Sequence, residues 1–297
     1  MTAPAQLSSL LDNALIARLE RLRVTSVSKR TARGRGEHLS GRGGASTDFV
    51  DYRDYAPGDD LRFVDWNIFA RLQRPFLKQF RREEERHLVI IADVSRSMAV
   101  DEKGTAVRRL AAAFAIAGLN AHDQVSLWAS GPGDVRRLAP ARGRPWMQRA
   151  LMAAESMGPA GGDVTVDQLV EAVLARHSGR GIAMILSDFL SAGDLQRMFT
   201  RLATAGLEPH AIQVLSPAEM DPALSGDLRL VDCETDGTLD ISDVADLLHL
   251  YHEHRQGLQD SLAEWCSGRQ GRFISITAAE PMDHFLLHTL RKKGWLA

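Results

Sequence analysis

The amino-acid sequence predicts an α/β protein built on a doubly wound, mostly parallel β-sheet with helices on both faces. Apolar runs at residues 88–92 and 181–187 are rich in branched side chains and do not alternate with polar residues. Such runs are typical of strands that are buried on both faces of a parallel sheet. From residue 87 onward, segments with helical spacing of apolar residues separate these strands, which is the pattern of β-α-β units.

The elements of this sheet follow one another in the order strand, helix, strand. The predicted strands are short and apolar, and they cover residues 88–92, 124–128, 181–187, 210–215 and 273–276. The predicted helices have helical spacing of apolar side chains, and they cover residues 106–118, 146–157, 165–176, 195–205, 244–265 and 282–293. We also expect a short antiparallel edge strand at residues 135–138, and a hairpin at residues 228–241 around Asp236 and Gly237.

Three shorter segments precede this α/β domain, which we place at residues 87–297. Leucines recur with helical spacing near the start, so residues 1–27 are predicted to form an N-terminal amphipathic helix. Residues 28–47 are basic and rich in glycine, and no aromatic side chains interleave them as in a nucleic-acid site. We therefore expect a flexible linker there. Residues 48–86 form a third segment, which combines arginine, aspartate and aromatic residues.

Composition narrows the classes of function. The 297 residues carry a formal net charge of −2, which gives no reason to expect nucleic acid or an anionic membrane as the main partner. Cys233 and Cys266 are too few for a disulfide framework. No signal peptide is visible, and the apolar run at residues 110–119 is about half of the roughly 20 residues that a membrane-spanning helix needs. We therefore expect a cytoplasmic protein without an integral membrane segment.

Three oxygen-bearing side chains follow the first buried strand directly: Asp93, Ser95 and Ser97. Ligands of open α/β sheets bind beyond the carboxyl ends of the strands, where these residues are expected to lie. One carboxylate and two hydroxyls form a hard, oxygen-only ligand set that suits Mg²⁺ with some of its waters retained. The alternative is that these side chains only cap the helix that follows.

Two further loops carry oxygen ligands at the same edge of the predicted sheet. One lies at residues 161–165, and the other contains Asp188, which ends a later buried strand. The order and spacing of the three loops resemble a von Willebrand factor A domain. The metal-ion-dependent adhesion site of that family combines Asp-x-Ser-x-Ser, a threonine from a Gly-Gly-Thr loop and an aspartate after a later strand. The resemblance implies a site for Mg²⁺, or for Mn²⁺ or Ca²⁺, that is formed by Asp93, Ser95, Ser97 and Asp188.

The threonine of that site does not transfer cleanly to this sequence. The loop reads Gly-Gly-Asp-Val-Thr, so that Asp163 stands at the family position and Thr165 lies two residues beyond it. Asp163 would add negative charge at the cation, whereas an inward-turning Thr165 would restore the usual ligand set with a slightly longer loop. Both residues are therefore candidates for the site.

Residues 51–71 combine alternating arginine and aspartate with aromatic side chains and a Pro-Gly turn. Arginine presents a planar fork to carboxylates, so paired, partly buried networks covered by aromatic rings are expected here. Two interpretations follow: a surface that recognises a partner beside the metal loop, or a brace that locks the segment to the sheet. The candidate residues are Arg53, Asp59, Asp60, Arg62, Asp65, Trp66 and Arg71.

The same run resembles the signature of the bacterial family catalogued as domain of unknown function 58. It reads Asp-Tyr-Arg-Asp-Tyr-x-Pro-Gly-Asp-Asp-x-Arg-x-x-Asp-Trp-x-x-x-Ala-Arg and precedes the Asp-x-Ser-x-Ser strand. Members resemble von Willebrand factor A domains with this extra segment attached, and they are typically encoded near AAA+ ATPases of the MoxR type. The resemblance implies an adaptor or chaperone-like partner of such an ATPase, which assists the assembly or activation of other proteins.

The sequence therefore favours a metal-dependent protein-binding module without catalytic activity. The alternative from another class is a Mg²⁺-dependent phosphatase or other hydrolase that uses Asp93 as its nucleophile. Such enzymes often carry a second acid two residues further on, and Ser95 stands at that position. The sequence also lacks the Gly-x-Ser-x-Gly elbow of a serine hydrolase.

Overall fold

The structure, a computed structural model, describes residues 6–28, 49–80, 85–131, 135–158, 164–190, 193–222, 228–231, 238–241 and 244–297. The chain forms two compact units. Unit 1 comprises Met1–Ser28 and Arg86–Ala297, and unit 2 comprises Lys29–Glu85. Residues 29–47 of the predicted linker lie outside the described residues, as does Cys233.

Strands and helices alternate along most of the chain. The strands are β1 (Phe49–Asp54), β2 (Phe76–Phe80), β3 (His87–Ala92), β4 (Gln124–Ser130), β5 (Val135–Ala141), β6 (Gly181–Ser187), β7 (Leu207–Leu215), β8 (Leu228–Val231), β9 (Thr238–Ile241) and β10 (Arg272–Thr277). The helices are α1 (Asn13–Leu19), α2 (Trp66–Leu72), α3 (Lys103–Asn120), α4 (Met147–Ser156), α5 (Val166–Leu174), α6 (Leu195–Thr204), α7 (Pro217–Met220), α8 (Val244–Ser267), α9 (Met282–His284) and α10 (Leu290–Lys292). Short 3₁₀ turns cover Leu61–Phe63, Arg96–Ala99 and Arg144–Trp146.

Unit 1 contains a six-stranded sheet in the spatial order β10-β7-β6-β3-β4-β5. β3 pairs in parallel with β4 and β6, and β7 pairs in parallel with β6 and β10. The edge strand β5 runs antiparallel to β4. The chain forms β4 on one side of β3 and then returns to its other side to form β6. This order confirms the predicted doubly wound, mostly parallel sheet and its antiparallel edge strand.

The side chains of β3 alternate between two hydrophobic clusters. Leu88 and Ile90 belong to a cluster that also contains residues of α1, α3 and α4. Val89 and Ile91 belong to a second cluster, with residues of α5, α6 and α8. Helices therefore cover both faces of the sheet, which is why the central strand β3 carries apolar side chains at every position from Leu88 to Ala92.

Helix α3 is buried on almost every side, as its alanine-rich sequence predicts. It lies very close to the sheet at Gly118, where a Cβ atom would come within 2.6 Å of Leu88 Cδ2 and 2.8 Å of Val125 Cγ2. Only glycine allows this approach without a shift of the neighbouring side chains. Within the part of the chain that is described, neither α3 nor any other helix is long and apolar enough to cross a membrane.

The N-terminal helix is shorter than predicted. Helical spacing extends over residues 7–22, whereas α1 begins only after Asp12, whose side chain accepts a hydrogen bond from a first-turn backbone N–H at 2.6 Å. Upstream, the Ser8 hydroxyl and the Ser9 backbone N–H both donate to Glu155 Oε1 at 2.6 Å. A tertiary contact therefore fixes the backbone that the leucine pattern assigned to the helix.

The other differences lie at the ends of elements. β5 and β7 are longer than predicted, because Ala141 also pairs with Val125 in β4 and Leu207 also pairs with Gly181 in β6. β8 and β9 pair in antiparallel fashion as the predicted hairpin requires, with Leu228 opposite Ile241. The predicted turn residues Asp236 and Gly237 lie outside the described residues. The helix predicted at residues 282–293 is interrupted by a π-helical turn between α9 and α10.

Replacement of Gly118 by alanine tests the close packing of α3 on the sheet. We expect Gly118→Ala to lower the free energy of unfolding by about 1–2 kcal/mol, because the new methyl group overpacks the core by more than the gain in helix propensity. The matched control is Gly257→Ala in α8, where a Cβ atom meets nothing within 4 Å. That variant should gain up to about 1 kcal/mol.

Both free energies are measured by urea unfolding monitored by circular dichroism. Equal stabilisation by the two substitutions would contradict the close approach of α3 to β3 and β4.

Candidate functional site

The first loop of the candidate site begins where β3 ends. Asp93 follows that strand and is 1% exposed. Its Oδ2 accepts a hydrogen bond from the Ser187 hydroxyl at 2.7 Å, and its Oδ1 accepts one from the backbone N–H of Ser95 at 2.9 Å. Its own backbone N–H donates to the carbonyl oxygen of Leu186 in β6 at 2.9 Å. The adjacent strand and the turn after β3 together hold the carboxylate in one orientation.

The two serine hydroxyls of this loop converge. Ser95 is buried and begins the 3₁₀ turn, and its Oγ lies 3.1 Å from the Oγ of Ser97. The Ser95 side chain makes no capping hydrogen bond to that turn, and α3 begins only after Glu102. The capping alternative therefore does not account for Asp93, Ser95 and Ser97.

Asp188 lies at the same edge of the sheet, after the strand β6 that is adjacent to β3. It is fully buried, and its Oδ2 accepts a hydrogen bond from Lys103 Nζ at 2.9 Å. Its Oδ1 accepts one from the backbone N–H of Leu190 at 3.1 Å. Lys103 is also fully buried, and its ammonium donates to Glu219 Oε1 at 2.5 Å. The protein itself thus supplies a cationic partner for Asp188.

Lys103 is a residue of the site that sequence reasoning missed. It opens α3 and shares a helix face with Ala106, Val107 and Leu110, which are all buried. A lysine on an otherwise apolar face signals a buried charge that needs a partner, so this spacing contains a usable signal. Glu219 carries no such signal, because it lies in the short helix α7 and reaches Lys103 only through the tertiary fold.

Asp93 and Lys103, which carry charges of opposite sign, differ in how their surroundings shift the pKa. Burial, and secondly the negative charge of Asp188, raise the pKa of the Asp93 carboxyl, although hydrogen bonds from Ser187 and Ser95 act in the opposite direction. Burial opposes the charge on Lys103, but its carboxylate partners outweigh burial and raise the pKa of Lys103 above its ordinary value. The lysine therefore stays an ammonium ion, while the Asp93 carboxylate lacks comparable compensation.

The structure places Thr165 in a capping role, whereas Asp163 lies outside the described residues. Thr165 is the N-cap of α5. Its backbone N–H donates to the side-chain oxygen of Gln168 at 3.4 Å, and its hydroxyl donates to the carboxylate of Asp167. These contacts all lie within the first turn of α5.

The donor set of Asp93, Ser95 and Ser97 fits a hard divalent cation. It consists of oxygen atoms, and within the described residues no cationic side chain is hydrogen-bonded to the Asp93 carboxylate. A bound cation would offset the unfavourable burial of that charge. The described residues contain no group of three or more His, Cys, Asp and Glu side chains that could hold a metal, so such a site depends on the hydroxyls. Asp188 is already engaged by Lys103.

Two of the candidate arginines of unit 2, Arg53 and Arg62, each pair with a candidate aspartate. Arg53 binds Asp59 through two hydrogen bonds of 2.7 and 2.6 Å, and Asp59 also accepts one from the backbone N–H of Ala56 at 2.8 Å. The hydrogen bonds from Arg53 and then from Ala56 lower the pKa of Asp59 to about 2. Arg62 and Asp60 form a second pair at 2.6 Å. These pairs hold the loop after β1 in a fixed shape.

Asp65, Trp66 and Arg71 lie on or beside α2. The Asp65 carboxylate begins that helix by accepting hydrogen bonds from two backbone N–H groups at 2.9 and 3.1 Å, and it lies 3.1 Å from Lys78 Nζ. Trp66 is 59% exposed, and Arg71 lies in the exposed last turn. The aspartate therefore serves the internal structure of unit 2, whereas the tryptophan lies on its surface.

Comparison with known sequences identifies relatives that cover most of the chain. The sequence profile described as "Protein of unknown function DUF58" matches residues 51–256. Uncharacterized protein Rv1480 of Mycobacterium tuberculosis is 33% identical in an alignment of 237 residues that covers 75% of this chain and 72% of that protein.

Two solved structures are similar to this chain at low sequence identity. The conserved hypothetical protein BatB of Bacteroides thetaiotaomicron is 12% identical, with 70% of this chain and 98% of that chain covered and a TM-score of 0.42. The VWA domain of SpRpn10 is 12% identical, with 69% and 95% covered and a TM-score of 0.39. The strand order of the six-stranded sheet, with four parallel strand pairs, establishes the fold class. The profile match and the relative show that the chain belongs to the DUF58 family of proteins of unknown function.

Proposed function

We propose that this chain is a metal-dependent protein-binding module. Asp93, Ser95 and Ser97 would hold a divalent cation, with Mg²⁺ as the first candidate and Mn²⁺ or Ca²⁺ as others, and a carboxylate of the partner would complete the shell. The observation that carries this proposal is the Asp93 carboxylate. It is 1% exposed and, within the described residues, it has hydroxyl and amide donors but no hydrogen-bonded cation.

Exposed apolar side chains in the same loops support a protein as the ligand. Val100, just after the turn that carries Ser97, is 43% exposed, and Leu190, just after Asp188, is 46% exposed. Protein interfaces combine apolar contacts with a few well-placed polar ones. A cation beside such residues suits a partner that offers an acidic group flanked by apolar side chains.

The proposed module is not an enzyme. The Asp93 carboxylate would be the nucleophile of the alternative phosphatase, but it is 1% exposed, which leaves little room for the phosphoryl group of a substrate to approach it. Ser95 also occupies the position at which such a phosphatase often carries its second acid.

The proposed partner is a MoxR-type AAA+ ATPase in the cytoplasm, with this chain as its adaptor or chaperone-like companion. Membership of the DUF58 family supports this choice. The resemblance to that family implies that its members are encoded near such ATPases. The low cysteine content is consistent with a reducing compartment.

Unit 2 is proposed to contribute a second binding surface. Among its described residues, Arg53 pairs with Asp59 and Arg62 pairs with Asp60, so these charged side chains shape the surface more than they contact a partner. Large apolar side chains remain exposed there: Leu61 at 55%, Trp66 at 59% and Leu72 at 61%. Tryptophan in particular often contributes strongly to binding at interfaces.

Affinity capture tests the metal-dependent interaction. The wild-type chain and Asp93→Asn serve as bait in lysate of the source cell, each in Mg²⁺ and in EDTA, and captured proteins are identified by mass spectrometry. We expect an AAA+ ATPase to be enriched by the wild type in Mg²⁺ alone, because the substitution removes the negative charge that holds the cation. Identical captures under all four conditions would contradict a metal-switched module.

Phosphatase activity is expected to be absent. With para-nitrophenyl phosphate and Mg²⁺, the wild-type chain and Asp93→Asn should both show only background release of nitrophenol. Turnover that disappears in Asp93→Asn would overturn the binding-module proposal in favour of the hydrolase.

Replacement of Trp66 tests the surface of unit 2. We expect Trp66→Ala to reduce capture of the partner about tenfold or more while the melting temperature changes little, because the side chain lies at the surface. Trp146→Ala is the matched control, since Trp146 is also exposed, at 40%, but belongs to unit 1. If both variants reduced capture equally, or if neither variant reduced it, the result would contradict a specific binding surface on unit 2.

A further inference from the structure

Lys103 connects the candidate metal site to a second part of unit 1. Its ammonium lies 2.9 Å from Asp188 Oδ2, at the end of β6, and 2.5 Å from Glu219 Oε1, in α7. Its side chain has no exposed surface, whereas the Glu219 side chain is 23% exposed. The ammonium is therefore held between two carboxylates and away from water.

Hydrogen bonds other than the one from Lys103 also hold Glu219 in place. Its Oε2 accepts a hydrogen bond from the backbone N–H of Ser216 at 2.7 Å, and its own N–H donates to Ser216 Oγ at 3.1 Å. The hydroxyl of Tyr251 in α8 donates to the carbonyl oxygen of Glu219 at 2.7 Å. The carboxylate is thus a rigid second anchor for the ammonium.

The charges of the four side chains described so far, Asp93, Asp188, Glu219 and Lys103, do not balance one another. Asp93, Asp188 and Glu219 contribute three carboxylates, and Lys103 contributes the one ammonium that is bonded among them. When all four groups are ionised, two negative charges remain. A divalent cation would balance them, but it would also enter the field of an ammonium ion that already holds Asp188.

We propose that Lys103 is a built-in competitor of the divalent cation and sets the cation affinity of the site. This inference rests on the proposed function. The ammonium of Lys103 holds Asp188 away from the cation and repels the cation's positive charge, so the cation binds weakly enough to exchange. Because Asp188 does not neutralise it, the bound cation retains positive charge that attracts an anionic group of the partner. Glu219 moderates the competition, because it shares the ammonium with Asp188.

The competition predicts opposite effects for two substitutions. Lys103→Met removes the competing charge but keeps a long apolar side chain, so we expect Mg²⁺ to bind at least about tenfold more tightly. Glu219→Gln removes the carboxylate that shares the ammonium, so we expect Mg²⁺ to bind several-fold more weakly. A purely structural ion pair predicts a loss of stability in both variants and no change in affinity.

The experiment measures Mg²⁺ binding to the full chain by titration calorimetry and by the Mg²⁺-induced shift in melting temperature. Asp123→Asn is the matched control. Asp123 forms a largely buried ion pair with Arg86 at 2.5 Å. These residues directly precede β4 and β3, so the pair lies at the amino-terminal ends of the parallel strands, away from the candidate site. That variant should lose stability and keep the wild-type affinity for Mg²⁺.

The outcomes separate this inference from the proposed function. Tighter binding by Lys103→Met and weaker binding by Glu219→Gln support it, as does a Lys103→Met variant that folds only when Mg²⁺ is present. Wild-type affinity in both variants overturns the role of Lys103 and leaves the metal site intact. Should Lys103→Met fail to fold under every condition, unchanged or tighter binding by Glu219→Gln overturns the inference. Absence of Mg²⁺ binding by the wild type and all three variants overturns both proposals.

Discussion

Two carboxylates that the fold removes from water, at the carboxyl ends of adjacent parallel strands, constrain everything else at this edge of the sheet. Asp93 and Asp188 are exposed by 1% or less. A charge buried in this way must find hydrogen-bond donors or a counter-ion, or it loses its charge. Asp93 is bonded to a hydroxyl and a backbone amide, whereas Asp188 is bonded to an ammonium. The asymmetry between two neighbouring carboxylates defines the site.

The sheet produces this arrangement through its topology. Because β3 and β6 are parallel neighbours, with Ala92 opposite Leu186, the residues that follow each strand emerge side by side. Helices on both faces exclude water from the strand ends, which strengthens the electrostatic interactions of each unbalanced charge there. The same topology explains why a lysine begins the deeply buried helix α3. Its charge is needed at the point where that helix meets the ends of the strands.

Features with a regular period or a topological rule could be predicted from the sequence, and features set by tertiary contacts could not. Unbroken apolar runs predicted the buried strands, and the position of Asp93 at the end of one of them indicated the edge at which it lies. The partner of Asp188 could not be predicted, because Lys103 lies 85 residues away in the chain and only packing brings the two together. The predicted length of α1 was also wrong because of a contact between distant residues, since Glu155 holds the backbone that precedes this helix.

The contact between two distant segments of unit 1 has a consequence for the order in which the molecule folds during synthesis. Val24 forms an antiparallel bridge with Leu296, and backbone hydrogen bonds join Arg23 to Ala297. Glu208 holds Ser26 nearby. Arg23 and Val24 therefore make these contacts only after residues 296–297, which lie far along the chain, have left the ribosome. Contacts so distant in sequence slow folding, so we expect this junction to form late in the folding of unit 1.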